Sequence, residues 1–78
     1  MIFLRQAEES KIQGNECMKN DKFFEAILHY TKAIKLESDN PPFYSNRSLA
    51  FLKIQQYNYA LEDAKTVIKL MPKWMKVE

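Results

Sequence analysis

Apolar residues recur at steps of three and four through most of this chain, the spacing that gathers side chains on one face of an α-helix. The strongest run is Tyr57, Ala60, Leu61, Ala64, Val67, Ile68 and Met71. It predicts an amphipathic helix closed by Pro72, which has no N–H to donate to the helical ladder. Upstream, Asp39, Asn40, Pro41 and Pro42 read as a stop followed by a start. Asn40 is a candidate N-cap, and proline suits a first helical turn. From Pro42 to about Ile54, steps of three and four join Tyr44, the small Ser48, Phe51 and Ile54. Gln55 and Gln56 then form a short polar break.

The first half has the same layout. Residues from about 5 to 19 predict a helix with Ala7, Gly14, Cys17 and Met18 on its apolar side. Asn20 and Asp21 interrupt it. A second helix runs from about Lys22 to Leu36 and carries Phe23, Ala26, Ile27, Tyr30, Ala33 and Ile34 at helical spacing. The chain is therefore expected to be all-α, with four helices of roughly 12–15 residues, and its very short links force neighbouring helices to run antiparallel.

An internal repeat underlies this layout. When residues 7–40 are laid on residues 41–74, an offset of 34, Phe23 falls on Tyr57, Ala26 on Ala60, Tyr30 on Ala64, Ala33 on Val67 and Leu36 on Leu70. Gly14 falls on Ser48 and Cys17 on Phe51. Small residues recur where helices must approach closely, and large ones where a groove must be filled.

A helix–turn–helix period of 34 residues with this order of small and large positions resembles the tetratricopeptide-repeat (TPR) family. Tyr44, Ser48, Phe51, Ala60 and Pro72 match the family's order in the second repeat, and Gly14, Ala26, Tyr30 and Ala33 match it in the first. Departures are Ser10 and Gln13 in the first helix, Ala64 where an aromatic residue is usual, and Ser38 in place of proline. Ser10 is expected to weaken the packing of the first helix. The resemblance implies antiparallel helix–turn–helix repeats: repeat one at 7–40, repeat two at 41–74, and the start of repeat three at 75–78.

Composition removes several function classes. With 46% apolar and 28% charged residues, one glycine and three prolines, the chain is neither disordered nor rich enough in turns for an all-β fold. The net charge of +2 is mild, and the basic residues are dispersed, most with an acidic residue nearby. That is no basis for nucleic-acid binding, which calls for a clustered basic stripe. Cys17 is the only cysteine, so no intrachain disulfide can form, and a lone thiol fits a reducing compartment such as the cytoplasm. No apolar run approaches the ~18 residues of a membrane span, and Met1–Leu4 is too short for a signal-peptide core. Asn46-Arg47-Ser48 matches a glycosylation sequon, which inside a cytoplasmic helix is a chance occurrence.

Catalysis has no residues to carry it. His29 is the only histidine, and neither a cysteine pair nor a glycine-rich phosphate loop accompanies it. No cofactor, metal or enzyme activity is expected.

Lys11 and Asn15 remain, four residues apart and so on one face of the first helix. An ammonium group and an amide N–H₂ side by side can hold a carboxylate. Alone, the pair is a weak signal and reads more readily as solvated surface. Asn46, in Tyr44-Ser45-Asn46-Arg47, and Lys76 widen the set. Together they resemble the dicarboxylate clamp of TPR co-chaperones that bind the acidic C-terminal tails of Hsp70 and Hsp90. The resemblance implies that Lys11, Asn15, Asn46 and Lys76 grip the two carboxylates of a terminal Asp in a peptide of the Glu-Glu-Val-Asp type. It also implies that Met18, Leu49 and Lys53 contact the residues before that Asp. For Met18 and Leu49, plain core packing is an equal expectation, and Arg47 reads as structural and surface-placed. The clamp's remaining arginine would fall two residues beyond Glu78.

The alternative is a TPR scaffold for a different protein, with the lysines merely solvating the groove. An RNA-binding helical repeat would need base-reading side chains at a fixed position in each repeat. Asn15 and its repeat-mate Leu49 offer no such code. Terminal repeats of such arrays need polar caps. The apolar side of the last two helices is expected to face water, so that the chain self-associates, swaps a helix or packs its own tail over that side.

Overall fold

The computed structural model describes residues 2–74, with side-chain detail for residue 2 and residues 5–71. Its four helices are α1 (Ile2–Lys19), α2 (Phe23–Leu36), α3 (Pro41–Lys53) and α4 (Tyr57–Trp74). Each pairs with the next in chain order, and α1 also touches α3. Helix α1 begins three residues earlier than the apolar spacing predicts. Helix α4 runs through Pro72 rather than stopping there. Proline removes the donor for the Ile68 carbonyl, but its fixed φ is itself helical, so the ladder resumes at Lys73 and Trp74.

The breaks after α1 and α3 are the same structure written twice. Asp21 (φ 58°) and Gln55 (φ 62°) both adopt the left-handed backbone conformation. After α1, the Asp21 N–H donates to the Met18 carbonyl (3.1 Å) and the Lys22 N–H to the Cys17 carbonyl (2.8 Å). After α3, the Gln55 N–H donates to the Leu52 carbonyl (3.0 Å) and the Gln56 N–H to the Phe51 carbonyl (2.9 Å). These crossed bonds form a Schellman motif, which closes a helix and turns the chain through one left-handed residue. Glycine is the usual occupant, because a side chain there costs about 1–3 kcal/mol, and glycine's extra unfolded-state freedom offsets only about 0.5–1 kcal/mol. Asp21→Gly and Gln55→Gly are therefore each expected to raise stability by about 1 kcal/mol, read as a higher urea midpoint. The gain is expected to be larger at Gln55, because aspartate tolerates this conformation better than glutamine.

Asn40 occupies the N-cap of α3 with extended backbone, yet its side chain makes no capping bond. Pro42 and Phe43 explain this. A cap normally accepts from the second or third helical N–H. Pro42 has no N–H, and the Phe43 N–H is already bonded to the Asn40 carbonyl (3.1 Å). The Asn40 amide donates instead to Glu37 Oε1 (3.4 Å), and its Oδ1 is buried without a partner.

Alanines set the helix spacing. Ala7, Ala26, Ala33, Ala50 and Ala60 are all buried, and they let backbones approach where a larger side chain would hold them apart. Phe43 packs with Ala7 and Ala33, flanked by Ile34 and Leu36. Tyr30 packs with Ala26 and Ala50, flanked by Cys17, Met18 and Ile27. Ser10 is 3% exposed, so its position is packed rather than open. The domain measures 41 × 32 × 18 Å, a slab about two helix diameters thick, so both broad faces are near solvent. Leu52, Leu61 and Ile68 are accordingly exposed, as the sequence predicts for the apolar side of α3 and α4.

Candidate peptide-binding site

Lys11, Asn15 and Met18 lie at spacings of four and three on α1, and so share one of its faces. Lys11 is half-buried along its stem, and its ammonium pairs with Glu8 Oε2 at 2.8 Å, one turn earlier at the surface. Asn15 is exposed, and its Oδ1 accepts a hydrogen bond from the Tyr30 hydroxyl of α2. That hydroxyl stays neutral: burial, and secondarily the nearby Cys17, push its pKa up to about 12. Met18 is half-buried against the cluster of Ala26, Tyr30 and Ala50, so core packing takes much of its surface.

Asn46, Leu49 and Lys53 lie at spacings of three and four on α3. Asn46 is half-buried, whereas Leu49 and Lys53 are exposed. Met18 of α1 also packs against the cluster that holds Ala50 of α3. Among the described residues, no hydrogen bond or ion pair joins one of these site residues to another. Lys76 lies outside the described residues.

The structure also contains a polar anchor that the sequence pattern conceals. Arg47 Nε and Nη2 donate to the two carboxylate oxygens of Asp63, each at 2.8 Å, and Nη1 donates to Thr31 Oγ1 at 3.1 Å. One guanidinium thus ties α3 to both α4 and α2. It also lies 5.9 Å from the centre of the Tyr44 ring and 5.8 Å from that of Phe51, a cation–π distance. Arg47 is therefore structural but not surface-placed, since only 19% of its side chain is exposed. The sequence held a signal for this anchor. Asp63 stands three residues after Ala60 and four before Val67, a carboxylate inside an apolar stripe, and such a group needs a partner.

The family model described as TPR repeat matches residues 14–55, more than half of the chain. The chain belongs to the tetratricopeptide-repeat family. It is 44% identical over 73 residues to serine/threonine-protein phosphatase 5 of Homo sapiens, covering 94% of this chain and 15% of that protein. It is 40% identical over 70 residues to Hsp70-Hsp90 organizing protein 2 of Arabidopsis thaliana, covering 90% of this chain and 12% of that protein. The chain thus spans less than a sixth of the length of either relative. The solved Arabidopsis OM64 TPR domain superposes with a TM-score of 0.86 at 31% identity, over 87% of this chain and 56% of that one. The four helices are two TPR units, a protein-binding architecture. No helix among the described residues is long and apolar enough to cross a membrane.

Proposed function

We propose that this TPR domain binds the acidic C-terminal peptide of an Hsp70- or Hsp90-type chaperone through a dicarboxylate clamp, as a co-chaperone adaptor does. The reading rests on one observation above others. The donors Lys11 and Asn15 share a face of α1, while Asn46 and Lys53 share a face of α3, the helix that α1 touches. The match to an Hsp70-Hsp90 organizing protein over 90% of the chain points the same way.

A peptide ending in Asp carries two carboxylates close together, on its side chain and at its terminus. Lys11 supplies charge and the two asparagine amides supply directed N–H donors, with Lys76 as the further cation. The exposed Leu49 offers an apolar contact to a preceding valine, Met18 contributes its unburied edge, and Lys53 meets an upstream carboxylate. Glu8 does not block the site. An exposed ion pair contributes roughly 0–1 kcal/mol, while each charge-assisted hydrogen bond to the peptide contributes about 1.5–3 kcal/mol. Lys11 also has three donors and can hold both carboxylates.

The test is a titration with a free-acid peptide ending Glu-Glu-Val-Asp beside the same peptide amidated at its C-terminus. The free acid is expected to bind more tightly, and Lys11→Ala or Asn46→Ala to weaken it by about tenfold each, since tenfold is about 1.4 kcal/mol. Equal affinity for the two peptides, or affinity indifferent to both substitutions, would favour a different protein partner. The exposed Leu52, Leu61 and Ile68 also support self-association through the α3/α4 face. Sedimentation at rising concentration reads it, and a strictly monomeric species would rule it out.

A further inference from the structure

A surface asparagine is ambivalent. One end of its amide donates, the other accepts, and free rotation lets a ligand choose. Asn15 has no such freedom, because the Tyr30 hydroxyl donates to its Oδ1. We infer that Tyr30 is a positioning residue: its hydroxyl holds the acceptor end of Asn15 and leaves the Nδ2 donors free, so that Asn15 reads an acceptor such as a carboxylate and not a cation or another donor.

Three observations carry this. First, the hydroxyl is held in place. Tyr30 is 1% exposed, enclosed by Ala26 and Ala50, and lies so close to Gly14 that a Cβ there would stand 2.4 Å from its Cε1. Secondly, the hydroxyl remains a donor, since burial pushes its pKa up to about 12 and keeps it neutral at ordinary pH. Turning the amide over would set Nδ2 against the hydroxyl and strand the hydroxyl hydrogen, which has Asn15 Oδ1 as its acceptor. Thirdly, hydroxyl and amide are absent together in the second repeat. The residue 34 positions after Tyr30 is Ala64, and the residue 34 positions after Asn15 is Leu49. The bond is thus a feature of one repeat, not a requirement of the fold.

The inference rests on the clamp reading, and the experiment separates the two. Tyr30→Phe removes one oxygen and keeps the ring. The Glu-Glu-Val-Asp free-acid peptide is titrated, by amide shifts, into the wild-type chain, Tyr30→Phe, Asn15→Ala and the double variant. Tyr30→Phe is expected to weaken binding about fivefold, the order of one lost neutral hydrogen bond. In the Asn15→Ala background the same change is expected to cost nothing further, because Tyr30 acts only through Asn15. Wild-type affinity in Tyr30→Phe, or an equal loss in both backgrounds, would overturn the inference while leaving the clamp intact. Failure of the wild-type chain to prefer the free acid would sink the clamp instead. A ligand-free readout then still decides the orientation: close contacts between the Tyr30 ring protons and the Asn15 Nδ2 protons, seen as cross-relaxation, would show the amide reversed and overturn the inference, and their absence upholds it.

Discussion

Arg47→Ala is expected to cost about 3–5 kcal/mol of stability, the usual loss when one partner of a buried ion pair is removed. The residue left behind decides the size of the effect. Asp63 is only 4% exposed, and Arg47 supplies two bonds to its carboxylate at 2.8 Å. Without Arg47, a desolvated negative charge stays inside the α3/α4 contact, and Thr31 also loses its donor. A chain of 78 residues has a total stability of roughly 4–12 kcal/mol at about 0.05–0.15 kcal/mol per residue, so the loss takes much of it. Asp63→Ala is expected to be milder, at about 1–3 kcal/mol, because the stranded group is then Arg47, whose side chain is 19% exposed and can reach water. Arg47→Lys keeps the charge but loses the two-pronged geometry and is expected to fall between. Urea unfolding of the three variants checks the order. An Arg47→Ala midpoint equal to wild type would show that Asp63 finds another donor.

Gly14→Ala is expected to destabilise the chain by about 2 kcal/mol, against the intrinsic preference of a helix for alanine. That preference contributes about 1 kcal/mol in alanine's favour. It is outweighed because the new methyl would sit 2.4, 2.7 and 2.9 Å from three atoms of the Tyr30 ring, which is fully buried and cannot swing aside. Overpacking a close-packed site costs typically about 1–3 kcal/mol, and contacts this short belong at or above its upper end. The second repeat solves the same approach with the opposite assignment of volume, a larger Ser48 facing a smaller Ala64. Ser48 also uses its hydroxyl, which donates to the Ala60 carbonyl at 2.8 Å. Thermal and urea unfolding of Gly14→Ala measure the effect. Stability at or above wild type would mean that the α1/α2 contact is looser than the ring's burial indicates.

The helices were legible because helical periodicity is a local property. Steps of three and four from Tyr57 to Met71, and from Phe23 to Ile34, need no knowledge of the rest of the chain. The offset of 34 residues carried further, since it set the left-handed Asp21 and Gln55 at equivalent breaks and implied two equivalent hairpins. Single-residue chemistry at element ends was less legible. Asn40 stands where a cap should, but Pro42 lacks one N–H that it would accept from and the Phe43 N–H is taken by the Asn40 carbonyl, and Pro72 bends the rule that a helix stops at proline.

The candidate site divides along the same line. Lys11, Asn15 and Met18, and likewise Asn46, Leu49 and Lys53, share helix faces by spacing alone, so the sequence by itself determined which of these residues lie together on a helix and the fold that displays them. Only the tertiary structure decided that Tyr30 reaches across from α2 to Asn15, that Glu8 already holds Lys11, and that Arg47 turns inward to Asp63 instead of outward to solvent. Two of these contacts join residues 15 and 16 positions apart on different helices. Their existence depends on how closely Gly14 and the buried alanines let the helices approach, and that distance is set by packing between elements, which no periodicity within one element encodes.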